Sequence, residues 1–173
     1  MTSRIWLVAA GAAIALLGGL YVSSMIQDTD THLNAEVRFD HLVLPDLNGH
    51  EQAFSQWQGK VLLINFWATW CPPCVEEIPI FMRLREKYAA HGFEIVGIAI
   101  DEAKKVRQFS QEMAIDYPLI QGDEHGIKIM QHFQNHIGAL PYSVLFNRQG
   151  RAVYFKPGRF SESELESLFT KYL

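Results

Sequence analysis

Seven consecutive residues, Val61 to Trp67, are apolar at every position except Asn65, and four residues further on stands Cys71-Pro72-Pro73-Cys74, which holds both of the chain's cysteines. A run that is apolar on both faces fits a central strand covered by helices on each side of its sheet. From Pro72 to about Ala90 the residues Val75, Ile78, Phe81, Leu84 and Tyr88 recur at helical spacing, and His91-Gly92 offers a stop. Pro79 removes one backbone donor inside that helix and is expected to kink it. The cysteine pair therefore stands where a buried strand hands the chain to a helix N-terminus.

The rest of the chain repeats this alternation. Phe39, Leu42, Val43 and Leu44 read as a strand, Pro45 to Gly49 as a turn, and Gln52 to Phe54 as its short partner, which makes a leading hairpin. Phe93 to Ile100 is a second buried-strand run. A helix is expected over Glu102 to Met113, a strand over Tyr117 to Ile120 and a weaker helix over Glu124 to Phe133. Tyr142 to Phe146 and Ala152 to Phe155 flank Asn147-Arg148-Gln149-Gly150 as a terminal hairpin. Ser161 and Glu164 form a capping box, with Phe160 and Leu165 placed as its hydrophobic staple, so a last helix follows. Strand–helix–strand order of this kind argues for an α/β domain, placed at residues 37–173.

Arg4 is followed by an uncharged run from Ile5 through Ile26, and acidic residues follow at Asp28 and Asp30. A bilayer-spanning helix needs about 20 apolar residues. Residues 1–26 are accordingly expected to form an N-terminal transmembrane signal anchor, with residues 27–36 as a polar linker. The charge asymmetry keeps the N-terminus in the cytoplasm and sends the domain to the periplasm or cell exterior. A cleaved signal peptide is the competing reading, with Val22-Ser23-Ser24 as its cleavage site; a buried core helix fits less well, because the run has no polar face. The net charge is −4 with 20% charged residues, so no basic field is available to bind nucleic acid.

Cys71 falls at the helix N-terminus, where backbone N–H groups and the positive end of the macrodipole favour a thiolate, the nucleophilic form. Cys74 lies one turn on, within bonding reach, and suits the resolving role. Pro72 and Pro73 fit the first turn and stiffen the loop between the sulfurs. Two cysteines supply half of a zinc set, and His41, His50, His91, His125, His132 and His136 lack the spacing of a finger, so no metal is expected. His132 and His136 would share a helix face only if that stretch were helical. A bridge closing so short a loop also adds little as a purely structural disulfide.

The run Asn65-Phe66-Trp67-Ala68-Thr69-Trp70-Cys71-Pro72-Pro73-Cys74, with Pro79 behind it and Gly138-Ala139-Leu140-Pro141 before the final hairpin, resembles the thioredoxin superfamily. The leading hairpin, the Trp-Cys-x-Pro-Cys form, the segment from about Glu102 to Asp123 and the N-terminal anchor are most similar to the membrane-anchored TlpA, ResA and CcmG group, over roughly Val37 to the C-terminus. The resemblance implies a thioredoxin-like α/β fold: a central mixed β-sheet flanked by helices, with an N-terminal β-hairpin and a central insertion. It implies thiol–disulfide exchange through a redox-active Cys71–Cys74 disulfide, with no other cofactor. Pro141 matches the superfamily's cis-proline, which would place it against the sulfurs, while Leu140 would offer its backbone to a substrate peptide and the exposed Trp70 would help choose it. Asn65 stands where thioredoxins carry a buried aspartate, so that route for deprotonating the second cysteine is absent. Glu77, three residues after Cys74, matches a glutamate of ResA-like proteins and is expected to relay protons and raise thiol pKa values.

With proline at both intervening positions, the resemblance favours a reductant of protein disulfides, its partners being proteins that bear disulfides or thiols, such as apocytochrome c or copper-site proteins, and a membrane electron donor of thiol-reductase type that recharges it. Two other activities are weighed against it. A peroxiredoxin-like peroxidase would need Pro-x-x-x-Thr-x-x-Cys, but Thr69 precedes Cys71 by two positions rather than three. A copper chaperone could use the dithiol as soft ligands, although two sulfurs leave the site incomplete.

Overall fold

The computed structural model describes residues Val37–Leu173, a compact unit; the expected anchor over residues 1–26 and linker over residues 27–36 lie outside the described residues. A hairpin of β1 (Val43–Pro45) and β2 (Glu51–Ala53) stands apart as a two-stranded antiparallel sheet. The Asp46 carboxylate ties its turn by accepting from the N–H groups of Asn48 and His50, at 2.8 and 3.0 Å. Then follow β3 (Val61–Trp67), α1 (Pro72–Tyr88), β4 (Phe93–Ala99), α2 (Ala103–Glu112), β5 (Leu119–Gln121), α3 (Asp123–His132), β6 (Tyr142–Phe146), β7 (Ala152–Pro157) and α4 (Glu162–Phe169). The five later strands form one mixed sheet in the order β5-β4-β3-β6-β7, parallel from β3 through β5 and antiparallel across β6 and β7.

Every residue of β3 and β4 is buried, as a central strand pair covered on both faces requires. On one face Val61, Leu63, Trp67, Phe93 and Ile95 pack with Ile78, Phe81 and Leu84 of α1, Val106 of α2, and Leu165 and Phe169 of α4. Phe93 and Phe169 stack at 3.9 Å. On the other face Leu62, Ile64, Phe66, Val96 and Ile98 meet Leu44 of the hairpin and Met130 of α3, together with Phe54, Trp57 and Phe133. Burying each such side chain is worth about 1.5–3 kcal/mol. The capping box at Ser161 and Glu164 forms as expected, and its two staple residues are fully buried.

Several boundaries differ from the sequence reading for local reasons. The leading strand starts at Val43 instead of Phe39, because Phe39 turns inward and packs edge-on against Phe146 at 5.1 Å. Phe54 leaves the hairpin to open a 3-10 turn, where it packs on Trp57 at 4.9 Å. The strand expected from Tyr117 begins at Leu119, since Pro118 has no N–H to give the ladder; its carbonyl instead accepts from Gly97 at 2.9 Å. Pro79 is accommodated within α1, which continues to Tyr88. Helix α3 stops at His132 and Gln134 takes a left-handed φ of 71°, so His132 and His136 do not share a helical face.

Candidate active site

Strand β3 delivers the chain through Ala68, Thr69 and Trp70 to Cys71, which caps α1 in an extended conformation with φ −100° and ψ 101°. Pro72 and Pro73 fill the first two helical positions, where their fixed φ suits the helix and a missing N–H breaks no intrahelical bond. The next two amides, of Cys74 and Val75, both donate to the Cys71 carbonyl, at 3.0 and 3.1 Å. In this disulfide form the start of α1 makes no hydrogen bond to the Cys71 side chain.

Cys71 and Cys74 are joined in a disulfide, with an S–S distance of 2.11 Å and Cα atoms 5.3 Å apart. Cys71 retains 5% exposure and Cys74 only 1%, so an incoming sulfur meets Cys71 first. Pro72 and Pro73 are exposed beside them, and Trp70 projects into solvent at 66% exposure.

Glu77 sits one turn beyond Cys74 and is completely buried. One carboxylate oxygen accepts the Phe160 N–H at 2.5 Å, while Oε2 has no hydrogen-bond partner among the described residues. Burial pushes its pKa up to about 7, a rise that the Phe160 N–H, Arg159 and Lys156 oppose and Glu164 assists. The Tyr117 hydroxyl is also buried without a partner among the described residues, and its pKa is raised by burial and by the charges of Glu77 and Asp116. Asn65 is buried too, but satisfied: its amide donates to Ser143 Oγ at 2.9 Å across the β3–β6 pair. A neutral, bonded amide at that position leaves Glu77 as the buried acid nearest Cys74 along α1.

The Leu140–Pro141 peptide bond is cis. Phe66 pairs with Tyr142 in the β3–β6 register, which sets Pro141 across from Trp67 at the end of the strand that leads to Cys71. Pro141 is buried and its carbonyl accepts from Gly158 at 2.9 Å. Leu140 is half-buried against the cluster that contains both cysteines. Among the described residues, no turn, loop or side-chain hydrogen bond engages the N–H or C=O of Leu140.

Two neighbours escaped the sequence reading. Asp101 accepts from both the N–H and the hydroxyl of Thr69 and from the N–H of Glu102, clamping the loop that carries Trp70 to the end of β4. Burial acts to raise its pKa, but the Thr69 and Glu102 bonds outweigh it and hold the carboxylate below the usual range. Its place directly after a buried parallel strand is a usable signal, because ligand sites gather at the C-terminal ends of such strands. Asn135, in the loop before Pro141, is the second, and no sequence pattern marks it. Among the described residues, no group of three or more His, Cys, Asp or Glu is gathered as a metal site would require.

The Redoxin family model matches residues 27–170. The thiol–disulfide oxidoreductase ResA of Geobacillus kaustophilus is 30% identical over 125 residues, covering 72% of this chain and 70% of that protein. ResA of Bacillus cereus is 31% identical over 132 residues, covering 76% and 74%. Among solved structures, a thiol:disulfide interchange protein of the thioredoxin family from Chlorobium tepidum superposes with a TM-score of 0.72 at 24% identity, covering 79% of this chain and 96% of that one. A secreted disulfide oxidoreductase of Mycobacterium tuberculosis gives 0.62 at 21% identity, covering 73% and 92%, and like the former it speaks to the fold alone. A disulfide at the head of α1, faced by a cis-proline loop, in a chain with these relatives leads to one assignment: the protein belongs to the Redoxin family, within the ResA-like group of the thioredoxin superfamily, and is a thiol–disulfide oxidoreductase.

Proposed function

We propose that this enzyme is a membrane-anchored, extracytoplasmic reductant of protein disulfides, with Cys71 as nucleophile, Cys74 as resolving thiol and Glu77 as proton acceptor. The Cys71 thiolate attacks a substrate disulfide, forms a mixed disulfide and releases one substrate sulfur as thiolate. Cys74 gives its proton to Glu77 and attacks the Cys71 sulfur, which releases the second substrate thiolate. Two electrons pass to the substrate, and the Cys71–Cys74 disulfide seen here is the oxidised product. A membrane electron donor of thiol-reductase type returns the pair to the dithiol.

The observation that carries the direction is the pair of prolines at the head of α1. A couple is strongly oxidising when its reduced thiolate is stabilised. Here Pro72 and Pro73 withhold two of the N–H donors that could stabilise it, which favours the disulfide and hence a reducing couple. The uncharged run from Ile5 through Ile26 supports the anchor and the outward-facing domain. The free backbone of Leu140, beside Pro141 and the exposed Trp70, Pro72 and Pro73, supports docking of an extended peptide by main-chain pairing. The resemblance points to cysteines of apocytochrome c or copper-site proteins as targets.

The test is the reduction potential of the Cys71–Cys74 couple in the full-length protein, titrated against glutathione and dithiothreitol and read by thiol alkylation. A value near thioredoxin's, roughly −270 mV, is expected. A value near about −120 mV, where DsbA lies, overturns the reductant role.

A further inference from the structure

The loop from Phe133 to Pro141 carries the backbone that a substrate peptide would meet, yet it contains no regular structure. Two of its nine residues, Gln134 and Gly138, take left-handed φ angles of 71° and 69°. Such a segment holds one shape only if something inside it bonds its amides. That something is Asn135, a polar residue just 5% exposed. Its Nδ2 donates to the Ala139 carbonyl at 2.8 Å, and its Oδ1 accepts the Ala139 N–H at 3.3 Å. Both main-chain groups of Ala139 are thereby occupied by one side chain. Asn135 is itself fixed from behind, its N–H donating to the Met130 carbonyl at 3.0 Å, and the Tyr142 hydroxyl donates to the Phe133 carbonyl at the base of the loop.

The contrast falls at the next residue. Ala139 is fully engaged, Pro141 is held through its carbonyl, and Leu140 between them has neither group engaged by a turn, loop or side-chain hydrogen bond. We propose that Asn135 is the positioning residue of the peptide-docking loop: by taking both amide groups of Ala139 it fixes the residue before Leu140, whose own N–H and C=O, next to the cis-proline, are left for main-chain pairing. This rests on the reading that substrates dock on Leu140. Its consequence is selectivity by substrate class. Disulfides inside an extended polypeptide use the loop, whereas a small disulfide with no peptide backbone reaches Cys71 without it.

The experiment compares full-length wild type with Asn135→Ala and the isosteric Asn135→Asp, using a disulfide-linked peptide, the same peptide N-methylated beside its cysteine, and hydroxyethyl disulfide. Asp keeps the size and can accept from Ala139 N–H, but it cannot donate to the carbonyl, so it decides the matter if the alanine variant does not fold. The expected result is a KM for the peptide raised about tenfold, the worth of one or two net hydrogen bonds, with kcat and the rate on hydroxyethyl disulfide within about twofold of wild type. An unchanged peptide KM in the folded variant, or an equal loss on both substrate classes, overturns the role of Asn135. Wild type should also discriminate against the N-methylated peptide. If it does so while the variants bind the peptide normally, docking on Leu140 stands and only Asn135 is wrong; if it does not, the docking reading fails and takes this inference with it.

Discussion

Pro72 and Pro73 set the chemistry of Cys71 by what they omit. An N-cap side chain ordinarily accepts from the second or third helical amide; here the second belongs to Pro73, and the third, of Cys74, is turned to the Cys71 carbonyl. Pro73→Ala restores one donor, and a hydrogen bond to a charged group is worth about 1.5–3 kcal/mol. The Cys71 pKa should fall by about one unit and the couple should become more oxidising, both readable from the pH dependence of alkylation and from redox titration. Glu77 gives a second prediction. Its ordinary pKa of 4.5 rises to about 7 in the fold, so between those values the native state holds a proton that the unfolded chain has released. Stability contributed by that proton is complete below about pH 4.5 and is lost as the pH climbs through 7, to the extent of about 3 kcal/mol. Glu77→Gln should remove this fall in urea denaturation at pH 4.5 to 8, and should slow resolution of the mixed disulfide, leaving attack by Cys71 intact.

At the scale of elements, charged contacts tie the end of α1 remote from the cysteines to the start of β4. Glu94 of β4 shows how. It is 5% exposed and accepts from Arg85 of α1 at 2.6 Å, from Lys60 ahead of β3 at 3.2 Å and from the Ile95 N–H at 3.1 Å. Burial acts to raise its pKa, but these three partners outweigh it and hold the carboxyl below the usual range. Its stabilisation is therefore present above the unfolded pKa and fades as the pH falls through the lowered folded value. Glu94→Ala removes a buried acceptor and leaves Arg85 only its contacts with Asp116, at 3.0 Å to the carbonyl and 3.8 Å to the carboxylate, so the loss should be about 1.5–3 kcal/mol by denaturant titration at neutral pH. By contrast, the pairs linking α1 to α4, Arg83 with Glu162 and Lys87 with Glu166, are largely exposed at 2.6 Å each and add little. The capping box of α4 matters more, because it starts the helix whose Phe169 closes the core on Phe93.

Across the whole molecule, the order of elements was legible because each is specified by its own residues. Strands β3 and β4 announce themselves as apolar runs broken only by Asn65 and Glu94, α4 by its capping box, and the site by two cysteines at a strand–helix junction. Tyr117 falls outside β5 because Pro118 after it has no N–H for the ladder, and Phe54 falls outside β2 because it turns in to pack on Trp57. The sequence by itself determined the α/β class and where the cysteine pair stands, since both follow from periodicity and from neighbours within one turn, while the thioredoxin-like arrangement came through the resemblance of its motifs. Only the tertiary structure decided the acidity of Glu77, whose N–H donor lies 83 residues away, and the clamp of Asp101 on Thr69, 32 residues apart. It likewise decided which backbone groups are left free at Leu140. Burial and hydrogen-bond partners come into being only when distant segments pack, and no local pattern encodes them.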